Sequence, residues 1–250
     1  VNALSSPASF GMVDSSSQLT VNMHLTDLSS IGELQMLNGQ NHFAYGVAGR
    51  WEIIAARTCE LQVDGSYILS DLLRGRFGTE THAAQHATGD RLVLLDKNRL
   101  KFVAGSLNDI GSAALYRAQT VGAADQSTVR RNFTYNAVNL QPLAPVWLKA
   151  HRNTTTQDWT LSWVRRTRVG GEWRDNVDAA LGEVAEIYEI DIFAGWQFTT
   201  VLFTITGLTS PTATYTAAQQ MTYHGYNPEV LYFRIYQISA EVGRGKPLQA

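Results

Sequence analysis

Residues 159–166 read Trp-Thr-Leu-Ser-Trp-Val-Arg-Arg, an alternation that places Leu161 and Trp163 on one face of a β-strand. Residues 187–193, Ile-Tyr-Glu-Ile-Asp-Ile-Phe, alternate in the same way, with both acidic residues on the predicted solvent face. Further strand-like runs follow at short spacing, at 201–206, 213–217 and 231–238. Short alternating strands without helices between them predict an antiparallel β-sandwich.

The preceding residues also predict strands, and two prolines mark a boundary. From residue 31 onward, strand-like runs occur at 51–57, 59–63, 91–96, 115–121 and 132–140. Residues 67–73 fit neither a helix nor a strand period cleanly. Pro142 and Pro145 interrupt the pattern, because proline removes a donor from a β-ladder. We therefore predict an all-β chain.

This pattern divides the chain into three predicted segments. Residues 1–30 are rich in serine and are predicted to be an N-terminal arm or a strand that completes an upstream domain. Residues 31–141 form the predicted mainly β domain, and residues 142–250 form the predicted sandwich.

Charge and composition exclude several classes of protein. The chain has 20 Lys and Arg against 22 Asp and Glu, a net charge of −2. A nucleic-acid binder needs a basic field that displaces counterions from phosphates, and no long Lys/Arg run provides one. No stretch reaches about 18 consecutive apolar residues, the length that a membrane span requires. We expect neither a nucleic-acid partner nor a membrane span.

The lone cysteine and two short motifs are candidates for a nucleophile, an anion site and a metal site. Cys59 lies in a strand-like run, where a buried small residue is favoured over a nucleophile. Residues 74–78, Arg-Gly-Arg-Phe-Gly, could bind an anion but lack the Lys-Ser/Thr of a phosphate loop, so a structural turn with locally paired arginines is predicted. His82 and His86 have zinc-compatible spacing, but Ala83 replaces the glutamate of a metalloprotease. A third ligand would come from a residue such as Glu80 or Asp90.

Four acidic residues could form a glycosidase pair, which needs two carboxylates in different environments. We interpret them instead as a solvated sheet face, neutralised by arginines at positions 165, 166 and 168. The acids are Glu183, Glu186, Glu189 and Asp191. The sequence thus predicts no catalytic residue, no cofactor and no metal, and we expect a protein that is not an enzyme.

The aromatic residues divide into core and surface groups. Trp163 and Tyr188 lie on predicted core faces. Four others fall in predicted loops and form a candidate interaction surface for a protein or a glycan: Trp173, Trp196, Tyr223 and Tyr226. The alternative is that these loops fold back on their own domain.

Four motifs in the second half occur at strand positions. They are residues 143–146 (Leu-Ala-Pro-Val), 161–163 (Leu-Ser-Trp), 232–236 (Tyr-Phe-Arg-Ile-Tyr) and 243–247 (Gly-Arg-Gly-Lys-Pro). In this order they resemble the fibronectin type III family, whose second-strand tryptophan fills the core. The chain departs from the family at Leu231, where a tyrosine is usual, and in the long link from Thr167 to Glu186.

That link carries motifs of its own, and the first half carries more. In the link they are residues 163–168 (Trp-Val-Arg-Arg-Thr-Arg), Gly171-x-Trp173, 181–183 (Leu-Gly-Glu) and Glu186-x-Tyr188. In the first half they are 37–41 (Leu-Asn-Gly-Gln-Asn), 51–54 (Trp-Glu-Ile-Ile), 64–70 (Asp-Gly-Ser-Tyr-Ile-Leu-Ser), 72–80 (Leu-Leu-Arg-Gly-Arg-Phe-Gly-Thr-Glu) and 89–96 (Gly-Asp-Arg-Leu-Val-Leu-Leu-Asp). Over roughly residues 31–250 the chain resembles the C-terminal part of the tail-hub proteins of gene transfer agents and related phages.

This resemblance implies a structural component of a tail tip or baseplate hub in a virus-like particle. It implies a homotrimer that contacts other tail-tip proteins and positions or mediates attachment to a host receptor or glycan. The chain begins with Val1 rather than Met, so we expect it to be the end of a longer polypeptide. Two alternatives remain: a module that binds or degrades envelope polysaccharide, and a bacterial cell-surface fibronectin module.

Overall fold

The computed structural model describes residues 2–7, 10–24, 27–96, 98–122, 128–171 and 176–250. The backbone separates into two compact units, Val1–Val103 and Ala104–Ala250. Both are built from antiparallel sheets and only 9% of the chain is helical, which confirms the all-β class. The sandwich strands begin at Val146, directly after the proline-bearing segment.

The first unit is one antiparallel sheet of five strands in the order β1-β4-β3-β2-β5. Its elements are β1 (Leu19–Val21), α1 (Glu33–Leu37), β2 (His42–Val47), β3 (Arg50–Leu61), β4 (Tyr67–Arg76) and β5 (Arg91–Leu94). The ambiguous residues 67–73 are therefore strand. The two runs predicted at 51–57 and 59–63 form the single long strand β3.

The N-terminal segment contributes to this same sheet. β1 pairs with β4, with Leu19 opposite Leu69, and Asp14 forms an isolated bridge to Leu72. Leu4 is also buried in the core of the first unit. In the described structure, part of residues 1–30 thus completes the sheet of residues 31–94, a role that their polar composition did not indicate.

The core of the first unit lies against one face of the sheet. It contains aliphatic and aromatic side chains from all of its long strands: Leu19, Phe43, Tyr45, Ile54, Tyr67, Leu69 and Leu72. Cys59 belongs to the same cluster, as predicted, and burial raises the pKa of its thiol to about 11. The thiol is therefore protonated at neutral pH and is not an activated nucleophile.

The second unit begins with a two-stranded hairpin, β6 (Ala113–Tyr116) and β7 (Arg131–Thr134). Both strands are shorter than the runs predicted at 115–121 and 132–140. Every residue of both strands is exposed.

The sandwich follows and consists of two antiparallel sheets. One sheet has the order β12-β9-β8, with β8 (Val146–Arg152), β9 (Trp159–Val164) and β12 (Thr212–Tyr215). The other has the order β11-β10-β13-β14, with β10 (Tyr188–Phe193), β11 (Val201–Leu208), β13 (Tyr232–Ser239) and β14 (Gly243–Arg244), and β15 (Leu248–Gln249) also pairs with β13.

Both sheets contribute to one apolar core. Leu161 and Trp163 from β9 pack with Tyr188, Ile190 and Ile192 from β10. The indole of Trp163 meets the ring of Tyr188 edge-on, with centroids 5.1 Å apart. The alternation in residues 159–166 and 187–193 therefore predicted the core faces correctly.

One helix in the sandwich was not predicted. α2 (Ala217–His224) connects β12 to β13. Thr216 caps its N-terminus by accepting a hydrogen bond from the Gln219 amide, and Gly225 ends it with φ 78°. The helix has eight residues, too few for a helical period to stand out in the sequence. No helix in the described residues is long and apolar enough to cross a membrane.

Candidate functional site

A buried cluster of charged side chains lies in the first unit, centred on Glu52 of β3. Arg74 of β4 donates from Nε to Glu52 Oε1 and from Nη2 to Oε2, both at 2.9 Å. The Gly75 amide also donates to Oε1 at 2.7 Å. The side chains of Glu52 and Arg74 are both fully buried, so this bidentate pair is shielded from water.

The cluster extends through a histidine to a second carboxylate. His86 Nε2 lies 2.6 Å from Glu52 Oε2, and His86 Nδ1 lies 3.3 Å from Asp90 Oδ2. Arg50 holds Asp90 with two hydrogen bonds of 2.6 Å. The Tyr45 ring stacks on the imidazole at 4.1 Å. We call Glu52, Arg74, His86, Asp90 and Arg50 the Glu52 cluster.

Both carboxylates of the cluster are held in the charged form. Burial by itself raises the pKa of Glu52, but hydrogen bonds from His86 and Arg74 outweigh it and keep that pKa below its usual range. The Arg50 guanidinium lowers the pKa of Asp90 in the same way. A general acid or base needs a pKa near the working pH, so these carboxylates act as fixed ion-pair partners.

The Glu52 cluster explains the motif at residues 74–78. Arg74 pairs across the sheet with Glu52, 22 positions away, whereas local pairing was predicted. Gly75 has φ 59°, and a Cβ there would lie 2.7 Å from both Glu80 Cγ and Phe10 Cδ1. Glycine is therefore required where the chain turns beneath Arg74.

The two histidines weighed as zinc ligands have different surroundings. His82 is half-buried and its Nδ1 lies 3.0 Å from Gln85 Oε1, whereas the side chain of His86 is buried between two carboxylates. In the part of the chain that the structure describes, no group of three or more His, Cys, Asp or Glu side chains could hold a metal ion.

The four acids weighed as a glycosidase pair each have a partner of their own. Arg168 Nε lies 3.1 Å from Glu183 Oε1, and the Tyr188 hydroxyl donates to Glu186 at 2.7 Å. Arg244 binds both Glu189 and Asp191. The sequence therefore identified the arginine near Glu183 but not Arg244.

Asp191 is buried, although it was predicted to face the solvent. It lies on the outer face of β10, but Arg244 covers it with hydrogen bonds of 2.6 and 3.0 Å, and Thr204 donates to it at 2.8 Å. The Arg244 guanidinium in turn lies 4.6 Å from the centre of the Tyr236 ring. Contacts from neighbouring strands therefore bury a residue that its own strand period leaves outside.

The structure describes three of the four residues of the candidate aromatic surface. Trp173 lies outside the described residues. Trp196, in the turn between β10 and β11, is 70% exposed. Tyr223 and Tyr226 are 40% and 58% exposed and lie on and just after α2, whereas Tyr223 was expected in a loop.

The structure brings the two tyrosines to one end of α2. Tyr223 stacks on Phe203 of β11 at 4.2 Å, and Tyr226 meets the His224 ring edge-on at 5.8 Å. Burial lowers the pKa of His224, so this end of the helix carries no imidazolium charge at neutral pH. Trp196 is not among the ring contacts of these residues.

Trp147 is a further exposed aromatic that the sequence reasoning missed. It lies in β8 at an irregularity between Val146 and Lys149, with φ 51°, and its side chain is exposed. Residues 146–148, Val-Trp-Leu, are all apolar, so no alternation in the sequence indicated that Trp147 faces outward.

Comparison with known proteins gives one result for the first unit. Residues 1–93 match the model of the family described as Rcc01698-like, C-terminal. This family is of a kind found in gene transfer agent proteins. The match contains β1 to β4, most of β5 and all of the Glu52 cluster, and it ends before the hairpin and the sandwich. No curated protein matches the chain.

Proposed function

We propose that this chain is a structural component of the tail tip or baseplate hub of a phage or phage-like particle. In this role it assembles as a homotrimer, contacts other tail-tip proteins and positions or mediates attachment to the host surface. The observation that carries the proposal is the match of residues 1–93 to a family of the kind found in gene transfer agent proteins.

The first unit has the properties of a rigid structural element. The Glu52 cluster ties β3 and β4 to the segment that holds His86 and Asp90, and the Glu52–Arg74 ion pair at its centre is fully buried. Such a network permits one arrangement of the surrounding chain, since any other arrangement leaves buried charges without partners. A particle component under mechanical load benefits from that property, and we assign the cluster this structural role rather than a catalytic one.

The sandwich has the properties of a contact module. Exposed aromatic side chains at Trp196 and Tyr226 offer large, rigid contact area to a protein or a glycan. The same surface is the feature that favours the alternative, a module that binds envelope polysaccharide. A degrading activity has weaker support, because Glu183 is buried against Arg168.

The proposal is tested by cryo-electron microscopy of particles that carry the full polypeptide, with a tag at the C-terminal end of this chain. We expect three tagged copies at the tip of the tail. A tag located elsewhere on the particle, or absent from it, would contradict the tail-tip assignment.

Attachment is tested on the same particles with the double substitution Trp196→Ala and Tyr226→Ala. We expect intact particles whose adsorption to host cells falls about tenfold. The reason is that the two lost aromatic side chains together contribute about 1–2 kcal/mol of binding free energy. Phe102→Ala, an exposed aromatic outside the surface, is the matched control and leaves adsorption unchanged. If the double variant adsorbs as well as the unchanged particle, the proposal that this surface mediates attachment is wrong. Polysaccharide turnover that is lost in Glu183→Gln would favour the degrading alternative.

A further inference from the structure

The hairpin of β6 and β7 is fully exposed to solvent. All eight of its strand residues are exposed, and among the described residues the strands pair only with each other. A two-stranded hairpin alone is marginally stable in water and gains stability when one face is covered. We call residues 104–136 the arm, which the structure describes at 104–122 and 128–136.

The register gives the arm one face that is both apolar and basic. Ala114 lies opposite Phe133, and Tyr116 lies opposite Arg131. These four residues share a face because side chains alternate along each strand. The rings of Tyr116 and Phe133 meet edge-on at 6.1 Å, and Phe133 is 57% exposed. An exposed aromatic pair beside an arginine is a typical composition for a protein contact.

The arm and the first unit carry net charges of opposite sign. The arm holds three Arg against two Asp, a net charge of +1. Val1–Val103 hold eight Lys and Arg against ten Asp and Glu, a net charge of −2. The arm is therefore complementary in sign of charge to the first unit of another copy.

The first unit also offers an apolar surface beside an acid. On α1, Glu33, Leu34 and Leu37 are spaced three and four residues apart and so share one face. Leu34 is 71% exposed and Leu37 is also exposed, whereas Met36 on the opposite side is buried. This outer face of α1 is apolar and carries the exposed carboxylate of Glu33, which lies 3.8 Å from Arg57 Nη1. The arm face is apolar and carries a basic residue.

We propose that the arm of one copy docks on the outer face of α1 of a second copy, with Phe133 and Tyr116 against the two leucines and Arg131 beside Glu33. The contact joins two different surfaces, so repeated copies close into a ring or extend as a chain. The inference deepens the proposed homo-oligomer by naming its contact.

The test measures the mass of the purified full chain by sedimentation velocity over a range of protein concentrations. We expect concentration-dependent self-association that weakens with added salt, because the charged part of the contact is screened. Arg131→Glu raises the dissociation constant at least about tenfold, since it places like charges side by side. Phe133→Asp raises it further, because it also removes apolar contact area.

Two further variants separate this contact from general charge effects. The double variant with Arg131→Glu and Glu33→Arg reverses both charges of the pair, and we expect it to recover the self-association that Arg131→Glu alone loses. Lys149→Glu makes the same change of charge on the exposed sandwich strand β8 and leaves self-association as in the unchanged chain. Amide exchange of both units stays unchanged in all variants, since the substituted side chains lie outside the two cores.

A chain that is monomeric at every concentration, or association that Arg131→Glu and Phe133→Asp leave intact, would overturn the inference. So would association in Arg131→Glu that Glu33→Arg fails to restore. If tagged particles still show copies at the tail tip in any of these cases, the proposed function stands and only the docking contact is wrong.

Discussion

The sheet of the first unit and the sandwich of the second unit stabilise their interiors in different ways. The first unit buries an ion pair: the side chains of Glu52 and Arg74 have no exposed area, and neither has the side chain of His86, which lies against Glu52. The sandwich fills the space between its sheets with aliphatic and aromatic side chains. Its most buried strand ion pair, Arg244 with Asp191, lies on the outer face of a sheet and not in the core.

The two interiors therefore differ in how well they tolerate amino-acid substitutions. Apolar side chains of similar volume can replace one another at a cost below about 1.5 kcal/mol, so a sandwich core accepts many sequences. A buried ion pair tolerates no loss of a partner, because the remaining charge is stranded away from water. We therefore expect the first unit to be the region that is more sensitive to a single polar substitution.

The largest expected effect comes from Glu52→Ala, which removes the centre of the Glu52 cluster. Arg74 and His86 then face a buried cavity without a carboxylate, and we expect the first unit to lose about 4 kcal/mol of stability. Denaturant-dependent amide exchange read by mass spectrometry measures this loss for each unit separately. Exchange in the sandwich stays unchanged.

Two controls accompany this prediction. Glu60→Ala changes an exposed glutamate on the same strand and costs less than about 0.5 kcal/mol. Leu161→Ala removes a fully buried side chain of the sandwich and lowers the stability of that unit alone by about 3 kcal/mol. Equal losses for Glu52→Ala and Glu60→Ala would show that the buried charges do not hold the first unit together.

A smaller effect is expected from acid. The folded-state pKa values of Glu52 and Asp90 are lowered, so their contribution is present above the unfolded pKa values, about 4, and is lost as pH falls through the folded ones. We expect this carboxylate contribution to be constant from pH 7 to about 5 and to decline below about 4. At pH 4 the loss is only a fraction of that in Glu52→Ala, because most of both groups stays ionised.

Amide exchange at several pH values measures this loss in each unit. Each unit also contains a histidine whose pKa is lowered by burial: His42, which is buried, and His224, which is half-buried. Their contribution is present above the unfolded pKa of about 6.5 and is lost as pH falls through the folded values. A decline in the first unit below about pH 4 that is smaller in Glu52→Ala than in the unchanged chain is the signature of Glu52, and the part that remains includes Asp90, which keeps its partner Arg50. If Glu52→Ala declined by as much as the unchanged chain, groups other than Glu52 would be responsible.

The same contrast explains what the sequence could predict. A strand period is local, so residues 159–166 and 187–193 indicated the sandwich core correctly. The Glu52 cluster joins residues up to 40 positions apart, from Arg50 to Asp90, and no local pattern signals such pairing. His86 was considered for its spacing from His82, yet its partners are Glu52 and Asp90. Burial of Asp191 depended likewise on Arg244, 53 positions away.

The smallest expected effect is that of Tyr188→Phe in the sandwich core. The Tyr188 ring is fully buried, and its hydroxyl donates to Glu186 Oε1 at 2.7 Å. The substitution keeps the ring against Trp163, and the Glu186 side chain is 31% exposed, so water can replace the lost donor. We expect the sandwich to lose about 1 kcal/mol, the net value of one hydrogen bond.

Tyr45→Phe is the matched change in the first unit, because it keeps the ring that stacks on His86 and removes only a hydroxyl that contacts the Asn2 carbonyl at 3.4 Å. We expect a loss of no more than about 1 kcal/mol there as well, since the charged groups of the cluster stay paired. Amide exchange in each unit measures both. A loss in Tyr188→Phe as large as that in Glu52→Ala would mean that the sandwich, too, depends on a polar contact at its core, and the distinction between the two units would fail.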